Sequence, residues 1–140
     1  MKNTVILVLI LLIVSTCTNN DKDDYGNNGL LGKWRLIEQL IDPGDGSGMF
    51  MPISSERTLE FFNDDTVVVN GDLCFMASEV GKQSSGIFST LVNNDYYDGE
   101  ILPIRCDNTE TKVYYKTEGV NLILWFQCIE GCGQKFIKVN

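Results

Sequence analysis

The sequence predicts an all-β domain, an antiparallel up-and-down barrel of eight strands, and three observations carry that prediction. Short runs of β-branched and aromatic residues recur along the chain, each bounded by Gly, Asn or Asp. No segment holds a long 3.6-residue hydrophobic period, so no helix is predicted. The runs follow one another in simple succession, and a sheet that closes on itself removes its exposed edges.

The elements are read in order. Trp34, Leu36 and Leu40 alternate with polar positions in the first strand, with Glu38 interrupting the apolar face. Leu59 and Phe61 alternate with Thr58 and Glu60, and Asn63-Asp64-Asp65 turns the chain into Val67-Val68-Val69. Ser85 to Leu91 forms the fourth strand, followed by the turn signal Asn93-Asn94-Asp95. A short segment from Glu100 to Ile104 is expected to end at Pro103. Val113-Tyr114-Tyr115 leads through Glu118-Gly119 into Leu122-Ile123-Leu124-Trp125-Phe126, the most apolar strand. Gly131-Cys132-Gly133 is expected to turn the chain into the last strand, Lys135 to Val139.

Ahead of these strands lies a different kind of sequence. Lys2 precedes an apolar run from Thr4 to Val14, closed by Val14-Ser15-Thr16-Cys17. A basic start, a short apolar segment and a small-residue boundary describe a secretory signal, too short to span a bilayer. Cys17 at the boundary resembles a bacterial lipobox, which implies a signal peptide over residues 1–16 and lipidation of Cys17. The alternative is a plain secretory signal with Cys17 incidental. Residues 17–29 are polar, charged and rich in Gly and Asn, and are expected to form a flexible acidic tether. Within it Asp21-Lys22-Asp23-Asp24 resembles the acidic export signal that sends lipoproteins of Bacteroidetes to the outer face of the outer membrane; the alternative is a solvating linker with no sorting role. These readings place the protein on the outer membrane, on its periplasmic or cell-surface face.

The formal net charge of −8 excludes a basic nucleic-acid footprint and disfavours electrostatic docking on anionic lipid. Membrane attachment is therefore expected through acyl chains alone. The sequence contains no histidine, which removes the commonest general base and the commonest zinc ligand. The carboxylates at Asp64, Asp65, Asp107, Glu110 and Glu130 sit in turns that already explain them. No catalytic residue, metal or cofactor is assigned, and the protein is not expected to be an enzyme.

Four cysteines follow Cys17, and an even count in an exported chain reads as two disulfides. Their spacings lack the paired C-x2-C knuckles of zinc sites. Three pairings are possible. The expected one joins Cys128 to Cys132 across a tight turn and Cys74 to Cys106 between two distant strands.

Gly32-Lys33-Trp34 on the first strand resembles the G-x-W signature of lipocalins. Together with Asp42-Pro43-Gly44-Asp45-Gly46-Ser47-Gly48, Leu59-Glu60-Phe61-Phe62, Gly71-Asp72-Leu73-Cys74, Ser85-Gly86 and Cys128-Ile129-Glu130-Gly131-Cys132, it looks like the short lipocalin-like lipoproteins of Bacteroidetes. The resemblance covers residues 30–140 and implies a calycin-type barrel on a lipid anchor. The domain is shorter than a full lipocalin and shows no C-terminal helix.

Trp34 is expected to plug the closed end of the barrel, with Lys135 or Lys138 over its face. Period-two alternation points Leu59, Phe61, Phe88, Leu122, Leu124 and Phe126 inward, where they either line a ligand pocket or fill a core. Trp125 and Tyr114 then point outward. The loop carrying Asp42, Asp45 and Ser47 reads either as a cation or recognition loop or as a glycine-rich turn held by its own hydrogen bonds. Two functions follow: non-catalytic binding of a small hydrophobic ligand, or a protein-interaction module (adhesion, assembly or enzyme inhibition) built on a filled barrel.

Overall fold

The computed structural model describes residues 29–129 and 131–139. The signal segment, Cys17 and the tether up to residue 28 lie outside them. Among the described residues nine strands follow in order: β1 (Gly32–Ile41), β2 (Met49–Pro52), β3 (Thr58–Phe61), β4 (Thr66–Val69), β5 (Ser84–Thr90), β6 (Gly99–Pro103), β7 (Val113–Glu118), β8 (Asn121–Phe126) and β9 (Cys132–Val139). From β3 onward each strand pairs antiparallel with the next, and β9 returns to β1, with Lys33 opposite Val139 and Gln39 opposite Gln134. Eight strands, β1 and β3 to β9, thus close an up-and-down barrel.

β2 is the strand that the sequence pattern did not show. It lies on the same edge of β1 as β3: Met49–Pro52 pairs with Ile41 to Glu38, and Thr58–Phe61 pairs with Arg35 to Gly32. Between them Ile53 to Arg57 bow out of the ladder. The Ile53 N–H donates to Ile37 O at 2.9 Å and the Leu36 N–H to Arg57 O at 3.0 Å, which brackets the bow. On the other edge of β1 the register with β9 shifts between Leu36 and Glu38. That bulge removes Glu38 from the apolar sequence of Trp34 and Leu36 and lets its carboxylate pair with Lys135.

The turns follow their side chains. Asp65 and Asn93 take left-handed φ values of 62° and 59°, the residue types that tolerate them best. Asp64 Oδ1 accepts from the Thr66 N–H and hydroxyl, and Gly119 at φ 62° sits in the two-residue link between Glu118 and Asn121. The start of the last strand differs from expectation. Cys132 and Gly133 already pair with Phe126 and Trp125, so the turn is confined to the residues before them. Gly133 is required there because Phe50 of β2 lies across the outer face: an added Cβ would come within 2.9 Å of its ring.

The core sits inside the ring. All six residues predicted to point inward do so: Leu59, Phe61, Phe88, Leu122 and Leu124 are at most 2% exposed and Phe126 8%. Phe61 packs edge-on against Phe88 at 5.0 Å and Tyr115 at 5.9 Å, and Phe88 lies 6.5 Å from Tyr115. With Trp34, Leu36, Val67, Val69, Ile101, Val113 and Phe136 they form one buried hydrophobic cluster. Burying each such side chain contributes roughly 1.5–3 kcal/mol. Large side chains from β3, β5 and β7 meet one another across the interior.

Trp34 closes one end of the barrel. It is 3% exposed, its indole N–H donates to Leu30 O at 2.8 Å, and Lys138 Nζ lies 5.4 Å from its ring. Lys135 covers the Phe50 ring instead, at 4.6 Å. Trp125 and Tyr114 face outward and are half-buried there. Trp125 meets Phe50 edge-on, and Tyr114 stacks on Tyr97 at 4.7 Å.

Candidate functional site at the barrel mouth

The end opposite Trp34 is where the polar anomalies collect. The connection from β4 to β5, residues 70–83, folds over this mouth and closes it as a stopper. Its Leu73 enters the core at 1% exposure, and Met76 packs against the same cluster. Leu73 fits because β5 carries Gly86 beneath it; an added Cβ there would stand 3.1 Å from Leu73 Cδ2 and 2.8 Å from Ile101.

Side chains from the barrel rim hold the stopper by its backbone. Gln134 Nε2 donates to Ala77 O at 2.7 Å, Ser55 Oγ to Ser78 O at 2.6 Å and Ser84 Oγ to Gly71 O at 2.8 Å. Arg57 donates through Nη2 to Asp72 O. Cys74 of the stopper is bonded to Cys106, with the Cα atoms 5.6 Å apart. The expected pairing is found, but its place differs: Cys74 and Cys106 tie two loops at the mouth rather than two strands, because both strands end before their cysteines. Cys128 and Cys132 are bonded across the β8–β9 turn, as expected. Replacing Cys74 and Cys106 with serine is expected to cost roughly 2–4 kcal/mol, given the length of loop they close. Urea unfolding measures it, and amide exchange should rise in residues 70–83 before it rises in the strands. An unchanged urea midpoint would show the bond to be idle.

Arg57 and Gln134 were not singled out in the sequence, yet both are fully buried. The signal was there in the parity. Arg57 lies two residues before Leu59, and Gln134 two before Phe136, so alternation places both on the inward face. Burial pulls the Arg57 guanidinium below its ordinary pKa, while the charges of Asp72 and Glu79 hold it up. Its Nε and Nη1, and Gln134 Oε1, have no hydrogen-bond partner. Gly71 faces the same guanidinium: a Cβ there would lie 2.8 Å from Nη1.

The other titrating group of the interior is Tyr115. Burial pushes its phenol up to about 12, and the hydroxyl donates to Ser89 O at 3.2 Å, so it serves as a neutral donor.

The Asp42–Gly48 loop spends its carboxylates on itself. Asp42 Oδ1 accepts from the Gly44 and Gly46 N–H groups at 2.8 and 3.3 Å, and Oδ2 from Gly48 at 3.3 Å. Asp45 Oδ1 accepts from the Ser47 N–H at 2.9 Å, and hydrogen bonds from Ser47, hydroxyl first, hold this exposed carboxyl below its ordinary pKa. Gly44 and Gly46 supply the left-handed φ values of 96° and 77° that the loop needs. The loop is a turn held by its own hydrogen bonds, and among the described residues no three His, Cys, Asp or Glu side chains converge on a point that a metal ion would fill.

Clefts occur at the ends and on the outside of the ring. One of about 420 Å³ lies beside the Cys74–Cys106 bond, lined by Asp72, Lys82, Gln83, Ser84, Ser85, Ile104 and Arg105. A second, of about 410 Å³, lies at the Trp34 end around Leu30, Asn94, Tyr97 and Asp98, and a third of about 470 Å³ flanks the bow at Ile53 to Glu56. None of the three is lined by the six inward residues. No family model matches the chain, and no curated protein matches it in sequence.

Proposed function

We propose that the protein is a non-catalytic binding module of the lipocalin-like lipoprotein type, anchored in the outer membrane through a lipidated Cys17, that engages a protein partner with its exterior. The single observation that supports this reading is the packing of the inward side chains against one another. A ligand pocket needs concave apolar space of some hundreds of Å³, and the side chains that would line one inside the ring pack against each other instead.

A second reading has its own observation. Arg57 Nε and Nη1 and Gln134 Oε1 are unpartnered under the stopper, and a buried polar group left unpaired costs about 1–3 kcal/mol. A small apolar acid that displaced residues 70–83 would satisfy the guanidinium with its carboxylate and lay its tail on the core.

Native mass spectrometry of the full chain, purified in detergent from its own host, separates the two. The expected spectrum shows the mature polypeptide with acyl groups on Cys17 and no further mass, unchanged after exposure to fatty acids. A ligand mass released on unfolding would overturn the first reading in favour of the second. An N-terminus free of acyl groups would remove the lipid anchor.

A further inference from the structure

Most cations of the barrel are already engaged. Lys112, Lys116 and Lys135 pair with Glu100, Glu118 and Glu38; Arg57 is buried; Lys138 covers Trp34. Lys33 and Arg35 carry no ion pair among the described residues, but they do not meet in one cleft: Arg35 lines the one that flanks the bow, beside Glu56, and Lys33 lines none of the three. Lys82 and Arg105 are the exception. Both are exposed, neither has a carboxylate within ion-pair distance among the described residues, and both line the 420 Å³ cleft beside the Cys74–Cys106 bond.

In a chain of net charge −8, this cleft sets two cations against one carboxylate in its lining. Asp72 lines the cleft too, but its Oδ1 accepts the Cys74 N–H at 2.6 Å and its charge acts on the buried Arg57. Arg105 holds a left-handed φ of 69°, uncommon for a long side chain. It is fixed from both sides, by the Ile104 N–H on Ser85 O at 2.8 Å and by the disulfide at Cys106.

An apolar strip leads away from the cations. Leu102 pairs with Ile87 on the outer face of β5 and β6, each 43% exposed, and Ile104 continues the line into the cleft at 45%. Cations at one end and branched aliphatics along the rest match a segment in which an acidic residue is followed by apolar ones.

We propose that this cleft and strip bind an acidic, apolar-rich peptide segment of a partner protein. Its carboxylate is taken by Lys82 and Arg105 in charge-assisted hydrogen bonds, and its neighbouring apolar side chains lie along Ile104, Leu102 and Ile87. The proposal rests on the exterior-binding reading and names its site.

Fluorescence anisotropy of the full chain with a labelled Leu-Glu-Leu-Glu-Leu-Glu peptide tests it, beside the same peptide with Gln for Glu. The acidic peptide should bind and weaken with added salt, and the Gln peptide should bind at least about tenfold more weakly. The double variant Lys82→Gln, Arg105→Asn, in which Asn tolerates the left-handed backbone, should lose at least about tenfold in affinity with an unchanged melting temperature. Equal binding of both peptides, undiminished binding by the variant, or no binding at all overturns the peptide site. So does displacement of the peptide by glutarate at equal concentration, which marks a small-carboxylate site instead. Failure here with a bare native mass leaves exterior binding standing at another face, whereas a bound small molecule in that spectrum removes the exterior reading itself.

Discussion

Replacing Trp34 with alanine is expected to destabilise the protein by about 3–5 kcal/mol. The side chain is buried at the closed end, and its removal opens a void between Leu30 and the core that the ring has no loose element to refill. The indole N–H bond to Leu30 O also disappears, leaving that carbonyl without this donor. Urea unfolding measures the loss, and Trp34→Phe separates packing from hydrogen bonding by keeping most of the ring volume. A midpoint unaffected by the alanine change would place Trp34 outside the stabilising core.

Gly99→Ala is expected to cost at least about 3 kcal/mol, at the upper end of what overpacking does. A Cβ at this position of β6 would stand 2.2 Å from Ser89 O and 2.2 Å from the Tyr115 ring and hydroxyl. Tyr115 lies over the bare backbone of β6, so one missing methyl is what lets a phenol fit inside the ring. Backbone and side chain obstruct together, and therefore Tyr115→Leu should restore only part of the loss. If Gly99→Ala melts with the parent, the close packing of Tyr115 on β6 is refuted.

The ring was legible because its period is simple. Leu59 and Phe61 alternate cleanly with Thr58 and Glu60, and a closed barrel needs little more than alternation and turns; Leu122 to Phe126 is apolar throughout, and Ile123 is buried as well as its inward neighbours. β2 was not legible, because Met49-Phe50-Met51-Pro52 packs outside the ring and has no inward face to advertise. The stopper escaped for the opposite reason. Its residues read as a polar loop, and only Leu73 and Met76 touch the core, too few to make a period. Arg57 and Gln134 were legible by parity alone, but polarity argued against burial, and the rim bonds that offset it come from far along the chain: Gln134 to Ala77 spans 57 positions. The cleft joins Lys82 to Arg105 through a disulfide between loops, a contact that no local pattern encodes.

Lys138 Nζ donates to Gly29 O at 3.0 Å and Lys33 lies opposite Val139, so the described chain enters and leaves the ring at the Trp34 end. That gives the barrel a polarity. The lipid anchor proposed at Cys17 would therefore attach to the ring at its Trp34 end. The stopper, the Cys74–Cys106 bond and the Lys82–Arg105 cleft lie at or toward the opposite end of the ring, so such an anchor would leave them clear of the point of attachment.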